Sequence, residues 1–158
     1  MNAANARTRE LTITRIFDAP RELVFRAWTD PVMLREWWGP RMFTNPVCEV
    51  DPRVGGEIKI VMRGPDGTEH TMKGTFREVV KPEKIVFVNN AYDSSGTQHL
   101  EGLTTVLFAD EGGKTKLTLT TIATGLTDLS AMMLAGMNEG WTQTIDRLGE
   151  LIQTQEKS

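Results

Sequence analysis

The stretch from Pro20 to Pro40 reads PRELVFRAWTDPVMLREWWGP and predicts two short helices, Pro20–Trp28 and Pro31–Trp38. Each helix begins with a proline, which suits the first helical position because its fixed φ fits there and its missing N–H would have no partner. An aspartate stands one or two residues before each proline as a cap. Gly39 then permits a left-handed exit, and the proline after it prevents continuation. The fold is therefore built around a helical pair near the start of the chain.

Seven strands are predicted around this pair, one before it and six after it, from runs of alternating and β-branched residues. The first is Leu11–Phe17. The others are Thr44–Val50, Glu57–Met62, His70–Val80, Lys84–Asn89, Glu101–Ala109 and Lys116–Ile122. The six later strands are joined by turns too short for a parallel crossover, which needs about a dozen residues. We therefore expect an antiparallel meander.

The last predicted element is one long amphipathic helix over Asp128–Gln153. Its apolar residues recur at helical spacing and gather on one side, which should lie on the sheet. That stripe contains Met133, Met137, Trp141, Thr144, Ile145, Leu148, Leu151 and Ile152. A sheet this wide twists and tends to curl around such a helix. We predict an α+β fold with a seven-stranded antiparallel sheet curled around a C-terminal helix.

Length and composition are those of one ordinary globular domain, which we place at residues 9–155, with a flexible N-terminal tail at residues 1–8. The formal charge is −3, with 39% hydrophobic and 25% charged residues among 158. No basic cluster favours nucleic acid or an anionic membrane, so neither partner is expected. The single cysteine and the polar first residues predict a cytoplasmic protein without an intramolecular disulfide.

Motifs of established chemistries are missing from the sequence. His70, His99 and Cys48 are too scattered to form a zinc motif, and Gly113-Lys114-Thr115 lacks the context of a phosphate loop. No nucleophile elbow or dinucleotide fingerprint occurs. We therefore expect no metal and no cofactor, and we assign no catalytic residue.

A cavity beside the final helix is suggested by Gly136 and Gly140, since glycine within a helix costs about 1 kcal/mol relative to alanine. They either leave room for a ligand or mark a kink or a close strand. The adjacent Trp37 and Trp38 also allow two interpretations. Neighbours on a helix point about 100° apart, so the two side chains cannot both point into one narrow space. One is a gate at a cavity rim, and the other is a pair of core aromatics.

Polar residues that interrupt apolar faces are further candidates, because a ligand pocket combines an apolar wall with a few polar atoms. Thr144 interrupts the helical stripe, Glu101 shares a strand face with Leu103, and Asn89, Tyr92 and the two histidines lie near strand ends, where solvated positions are also common. The predicted ligand-binding set is Trp37, Trp38, Met72, Phe87, Glu101, Leu103, Met133, Met137, Gly140, Trp141 and Thr144.

The strings ITRIFDAP at residues 13–20, AWTDP at 27–31 and WWGP at 37–40 closely resemble the bacterial family named for homology to the activator of heat shock protein 90 ATPase. Gly140-Trp141, Asp146-Arg147-Leu148 and Leu151 are similar to that family's closing-helix pattern. The resemblance covers about Arg9 to Gln153 and implies the helix-grip fold of the SRPBCC or START-like superfamily. It also implies a cavity, in which relatives bind lipids, sterols, hormones or polyketides and some catalyse cyclisation or dehydration.

Three functions follow as hypotheses. The first is a binding module that holds a small, largely hydrophobic molecule between the sheet and the final helix. The second is an interaction protein that stimulates a chaperone ATPase, which the family resemblance alone implies. The third is a cyclase or hydrolase that would use Glu101, His70 or Tyr92 as acid or base. A homodimer stays open, because edge strands can pair between subunits.

Overall fold

The computed structural model describes residues 7–157. The helices of this part of the chain are α1 (Arg21–Thr29), α2 (Pro31–Trp37), α3 (Ser130–Ala135) and α4 (Met137–Lys157). Its strands are β1 (Thr8–Phe17), β2 (Thr44–Val50), β3 (Glu57–Arg63), β4 (Glu69–Val80), β5 (Lys84–Val88), β6 (Asn90–Tyr92), β7 (Gln98–Glu111) and β8 (Lys114–Gly125). Of the predicted N-terminal tail, residues 1–6 lie outside the described residues, and Thr8 already belongs to β1.

The strands form one antiparallel sheet in the order β1-β8-β7-β5-β4-β3-β2, which confirms the predicted α+β architecture of seven main strands. The short β6 is an addition and pairs with both β4 and β7. The predicted strand Lys84–Asn89 ends one residue earlier, at Val88, and Asn89 forms a break before β6. At this break the backbone comes close to β4, and only glycine fits at position 74. A Cβ on Gly74 would lie 1.6 Å from the carbonyl oxygen of Val88.

The two helices after β1 confirm the reading of the proline-rich stretch, with one difference at the first cap. Asp30 caps α2, since its carboxylate accepts a 3.0 Å hydrogen bond from the Val32 N–H. The predicted aspartate cap of α1 is wrong, because Pro20 occupies the cap position and no side chain bonds there. Gly39 has a φ of +93°, the left-handed exit that its position predicts.

The final helical segment is two helices rather than the single predicted helix, because the chain turns at Gly136 between α3 and α4. Glycine has the lowest helix propensity after proline, so a break is least unfavourable there. Beyond it, α4 lays Ile145, Leu148 and Ile152 into the core, all nearly fully buried. Arg15 of β1 also holds α4, through a 2.6 Å ion pair with Asp146.

Candidate functional site

A cavity of about 280 Å³ lies between the inner face of the sheet and the first turns of α4. Its walls come from the loop after α2, from the middle of the sheet and from α3 and α4. The lining residues are Trp38, Gly39, Pro40, Met62, Met72, Asn89, Ala91, Leu100, Gly102, Thr121, Ala123, Met133, Gly136, Met137, Gly140, Trp141 and Thr144. No lining residue carries a charge, so this site favours a neutral, mostly apolar molecule.

Seven of the eleven sequence-predicted site residues line this cavity. They are Trp38, Met72, Met133, Met137, Gly140, Trp141 and Thr144. The structure thus brings together the predictions drawn from the final helix. The methionines provide adaptable walls, because an unbranched thioether side chain fits varied shapes.

Four predicted residues do not line the cavity. Phe87 and Trp37 are core residues, and Phe87 instead borders a void of about 10 Å³ beneath α1 and α2, enough for about one water. Glu101 and Leu103 point out of the sheet, and Leu103 is 41% exposed. Their strand carries apolar side chains on both faces, so alternation alone did not reveal which face is inner. On the outer face Leu103 sits opposite Ile122 of β8.

The paired tryptophans are both buried, which supports the core reading over a gate at an exposed rim. Trp37 is fully buried and its indole N–H donates a 2.9 Å hydrogen bond to the carbonyl oxygen of Ala27. Trp38 is 7% exposed, packs edge-on against Trp141 with 5.5 Å between ring centroids, and forms part of the cavity wall.

Gly140 faces the cavity without being required by a close contact. A Cβ built on it would lie 3.9 Å from Cγ of Pro40, which is ordinary van der Waals distance. The close-strand explanation therefore fails for Gly140, whereas the kink explanation holds for Gly136. The missing side chain of Gly140 leaves space between α4 and the loop after α2, as the ligand interpretation requires.

Arg147 holds that loop against α4 and was not among the predicted residues. One guanidinium nitrogen, Nη1, donates to the carbonyl oxygens of Trp38, Gly39 and Pro40 at 2.9 to 3.1 Å. The other, Nη2, donates to the carbonyl of Glu36 at 3.1 Å. Burial lowers the pKa of Arg147 from its ordinary value. The signal in the sequence was the Asp-Arg-Leu string, whose first residue ties α4 to β1 and whose second ties it to the loop after α2.

The polar side chains of the cavity wall are Asn89, Thr121 and Thr144, apart from the indole N–H groups of its two tryptophans. Sequence reasoning raised Asn89 only as a polar residue near a strand end, and it missed Thr121. Thr121 contacts the fully buried Thr104, with 2.8 Å between their hydroxyl oxygens. Threonine is common in strands, so the residue type at position 121 did not indicate a cavity position.

The remaining polar candidates lie outside the cavity wall. Tyr92 is covered by the ammonium group of Lys73, 5.2 Å from its ring centroid. His99 bridges two loops, with Nε2 2.7 Å from the Asp93 carboxylate and Nδ1 beside the Thr127 hydroxyl. Glu101, His70 and Tyr92 were the acid or base candidates of the enzyme hypothesis, and none of the three lines the cavity. Within residues 7–157, no group of histidine, cysteine and acidic side chains is arranged to hold a metal ion.

The profile of the family described as "Activator of Hsp90 ATPase homolog 1-like protein" matches residues 18–153, most of the chain. The chain belongs to this AHSA1-like family. The family resemblance of the helical pair and the closing helix is thus confirmed. A comparison with curated proteins gives no match.

Solved structures share this AHSA1-like fold over nearly the whole chain. A crystal structure from Chromobacterium violaceum is 28% identical, with a TM-score of 0.75 and coverage of 90% of this chain and 96% of that one. The AHSA1 protein of Silicibacter pomeroyi is 23% identical, with a TM-score of 0.77 and coverage of 93% and 99%. A Nitrosomonas europaea protein is 24% identical, with a TM-score of 0.75 and full coverage of both chains. In the described part of the AHSA1-like chain, no helix is long and apolar enough to cross a bilayer.

Proposed function

We propose that this AHSA1-like protein binds a small, neutral, largely hydrophobic molecule in the cavity between the sheet and α4. The observation that carries the proposal is an uncharged cavity of about 280 Å³ in which a few polar groups interrupt an apolar wall. Ligand sites in proteins have this composition and typically measure about 300 to 1,000 Å³. Because this cavity lies just below that range, a compact molecule fits better than a long-chain lipid.

The opening at Gly140 also supports the proposal. A glycine within a helix lowers helix stability by about 1 kcal/mol relative to alanine. Around Gly140 the space is open enough to accept a Cβ without a clash. A binding cavity accounts for that unused space, since protein interiors are otherwise close-packed.

Native mass spectrometry of the protein purified from its own host tests the proposal. We expect a discrete additional mass that is lost on denaturation, or a one-to-one complex after incubation with the neutral probe N-phenyl-1-naphthylamine. A bare polypeptide in both samples would contradict the proposal.

A further inference from the structure

The wall of the cavity contains a chain of hydrogen bonds that runs in one direction. The Thr104 hydroxyl donates a 2.8 Å hydrogen bond to the carboxamide oxygen of Asn89. Since a hydroxyl has only one proton, the 2.8 Å contact between Thr104 and Thr121 must be donated by Thr121. The chain therefore runs from Thr121 through Thr104 to Asn89.

The direction of this chain leaves the hydroxyl groups of the wall without a free proton. The protons of Thr121, on the wall, and of the fully buried Thr104 are used within the chain. The other hydroxyl of the wall, on Thr144, donates to the carbonyl oxygen of Gly140 at 2.8 Å. Asn89 is different, because its carboxamide oxygen accepts from Thr104 while its NH₂ group makes no hydrogen bond to any described residue.

The backbone around Asn89 is shaped to hold this carboxamide in place. Gly102 of β7 lies beside it, and a Cβ there would be 2.8 Å from the carboxamide nitrogen and 2.7 Å from the Asn89 carbonyl oxygen. Real side chains do not approach so closely, so only glycine lets Asn89 lie over β7. The Asn89 N–H also donates a 2.9 Å hydrogen bond to the Gly102 carbonyl oxygen.

We infer that the Asn89 NH₂ group is the specificity-determining donor of this cavity, and that its ligand is a neutral, mostly apolar molecule with one hydrogen-bond acceptor oxygen, such as a ketone. This inference rests on the proposed function and names the class of ligand. An amide N–H left unpaired on binding costs about 1 to 3 kcal/mol, so a hydrocarbon of the same shape is disfavoured.

The test compares 2-acetylnaphthalene, a ketone, with 2-isopropylnaphthalene, a hydrocarbon of nearly the same shape. Each competes against N-phenyl-1-naphthylamine for the protein and for the variants Asn89→Leu and Asn89→Asp, both of which remove the NH₂ donor. Asn89→Asp keeps an acceptor for the Thr104 hydroxyl, so it serves if the leucine variant fails to fold. Thr144→Val is the matched control, since it removes a polar group of the same wall that has no free proton.

We expect the natural protein to bind the ketone about 5 to 10 times more tightly than the hydrocarbon, as one net hydrogen bond provides. The preference should vanish in both Asn89 variants and persist in Thr144→Val. The C=O stretch of the bound ketone should also lie at lower frequency in the natural protein than in Asn89→Leu. If both compounds bind and the preference survives in the Asn89 variants, the inference is overturned while the proposed function stands. If neither compound nor the probe binds the natural protein, the proposed function itself fails.

Discussion

Arg147 of α4 donates a 3.1 Å hydrogen bond to the carbonyl oxygen of Trp38, the residue that caps the C-terminus of α2. The same guanidinium also bonds the carbonyl groups of Gly39, Pro40 and Glu36. One side chain therefore serves the unpaired carbonyl groups at the end of a helix and fixes the loop that forms one wall of the cavity.

Replacing Arg147 by methionine should lower the free energy of unfolding by about 2 to 4 kcal/mol, because several carbonyl groups lose a charged donor. Urea denaturation measures the change. The matched control is Arg41→Met in the same loop, whose side chain makes an exposed ion pair with Glu150. That variant should change stability by less than about 1 kcal/mol. Equal effects of the two variants would contradict the role assigned to Arg147.

The adjacent tryptophans should respond differently to the same substitution. Trp37→Phe leaves the buried carbonyl oxygen of Ala27 without its donor and should destabilise the fold by about 2 to 4 kcal/mol. Trp38→Phe breaks no hydrogen bond of the Trp38 side chain to a described residue, and it enlarges the cavity. It should therefore change affinity for N-phenyl-1-naphthylamine more than Trp37→Phe does. Urea denaturation measures the stability of both variants, and titration with N-phenyl-1-naphthylamine measures their affinity. A larger affinity change in Trp37→Phe than in Trp38→Phe would argue against the two roles.

Most of the fold was predictable because its signals are local. Proline at helix starts, glycine at exits and short turns between strands determined the order of elements, and the amphipathic stripe identified the helix that the sheet surrounds. The inner face of β7 was not predictable in this way. Leu103 and Leu107 lie on one face and Val106 and Phe108 on the other, so only pairing with neighbouring strands decides which side is buried.

The cavity wall on α3 and α4 was largely predictable, whereas among its sheet residues only Met72 was predicted. A helix shows its buried side through spacing alone, which identified Met133 of α3 and Met137 and Gly140 of α4. Asn89 gains its position from a break between two strands, and that break depends on glycines of β4 and β7 that are distant in sequence. No local pattern encodes such a contact.

Cys48 should react slowly with iodoacetamide, because burial raises the pKa of its thiol to about 11. The thiolate is the reactive form, so the alkylation rate of the folded protein should rise about tenfold per pH unit between about pH 8 and pH 10. Mass spectrometry of timed samples gives the rate, and protein unfolded in guanidinium is the control. A plateau near pH 9 in the folded protein would contradict the raised pKa.

Asp93 should make stability depend on pH under acidic conditions. The Ser95 hydroxyl, and then His99, hold the pKa of Asp93 well below its ordinary value. A carboxylate with a lowered folded-state pKa stabilises the protein above its unfolded-state pKa of about 3.9, and this contribution is lost as the pH falls further. Asp93→Asn should thus be less stable than the natural protein at neutral pH. Urea denaturation should show that the difference narrows from about pH 5 to about pH 2, whereas a constant difference would count against this account.

The central claim is tested most directly by titrating N-phenyl-1-naphthylamine into Gly140→Leu and its matched control Asn138→Leu. Gly140 faces the cavity, whereas Asn138 is exposed on the same turn of α4. A leucine at position 140 should occupy the ligand space and reduce probe affinity by at least about tenfold, equivalent to about 1.4 kcal/mol. The leucine at position 138 should leave affinity unchanged, and both variants should unfold cooperatively in urea. Undiminished probe binding by a folded Gly140→Leu variant would show that the cavity beside α4 is not the binding site.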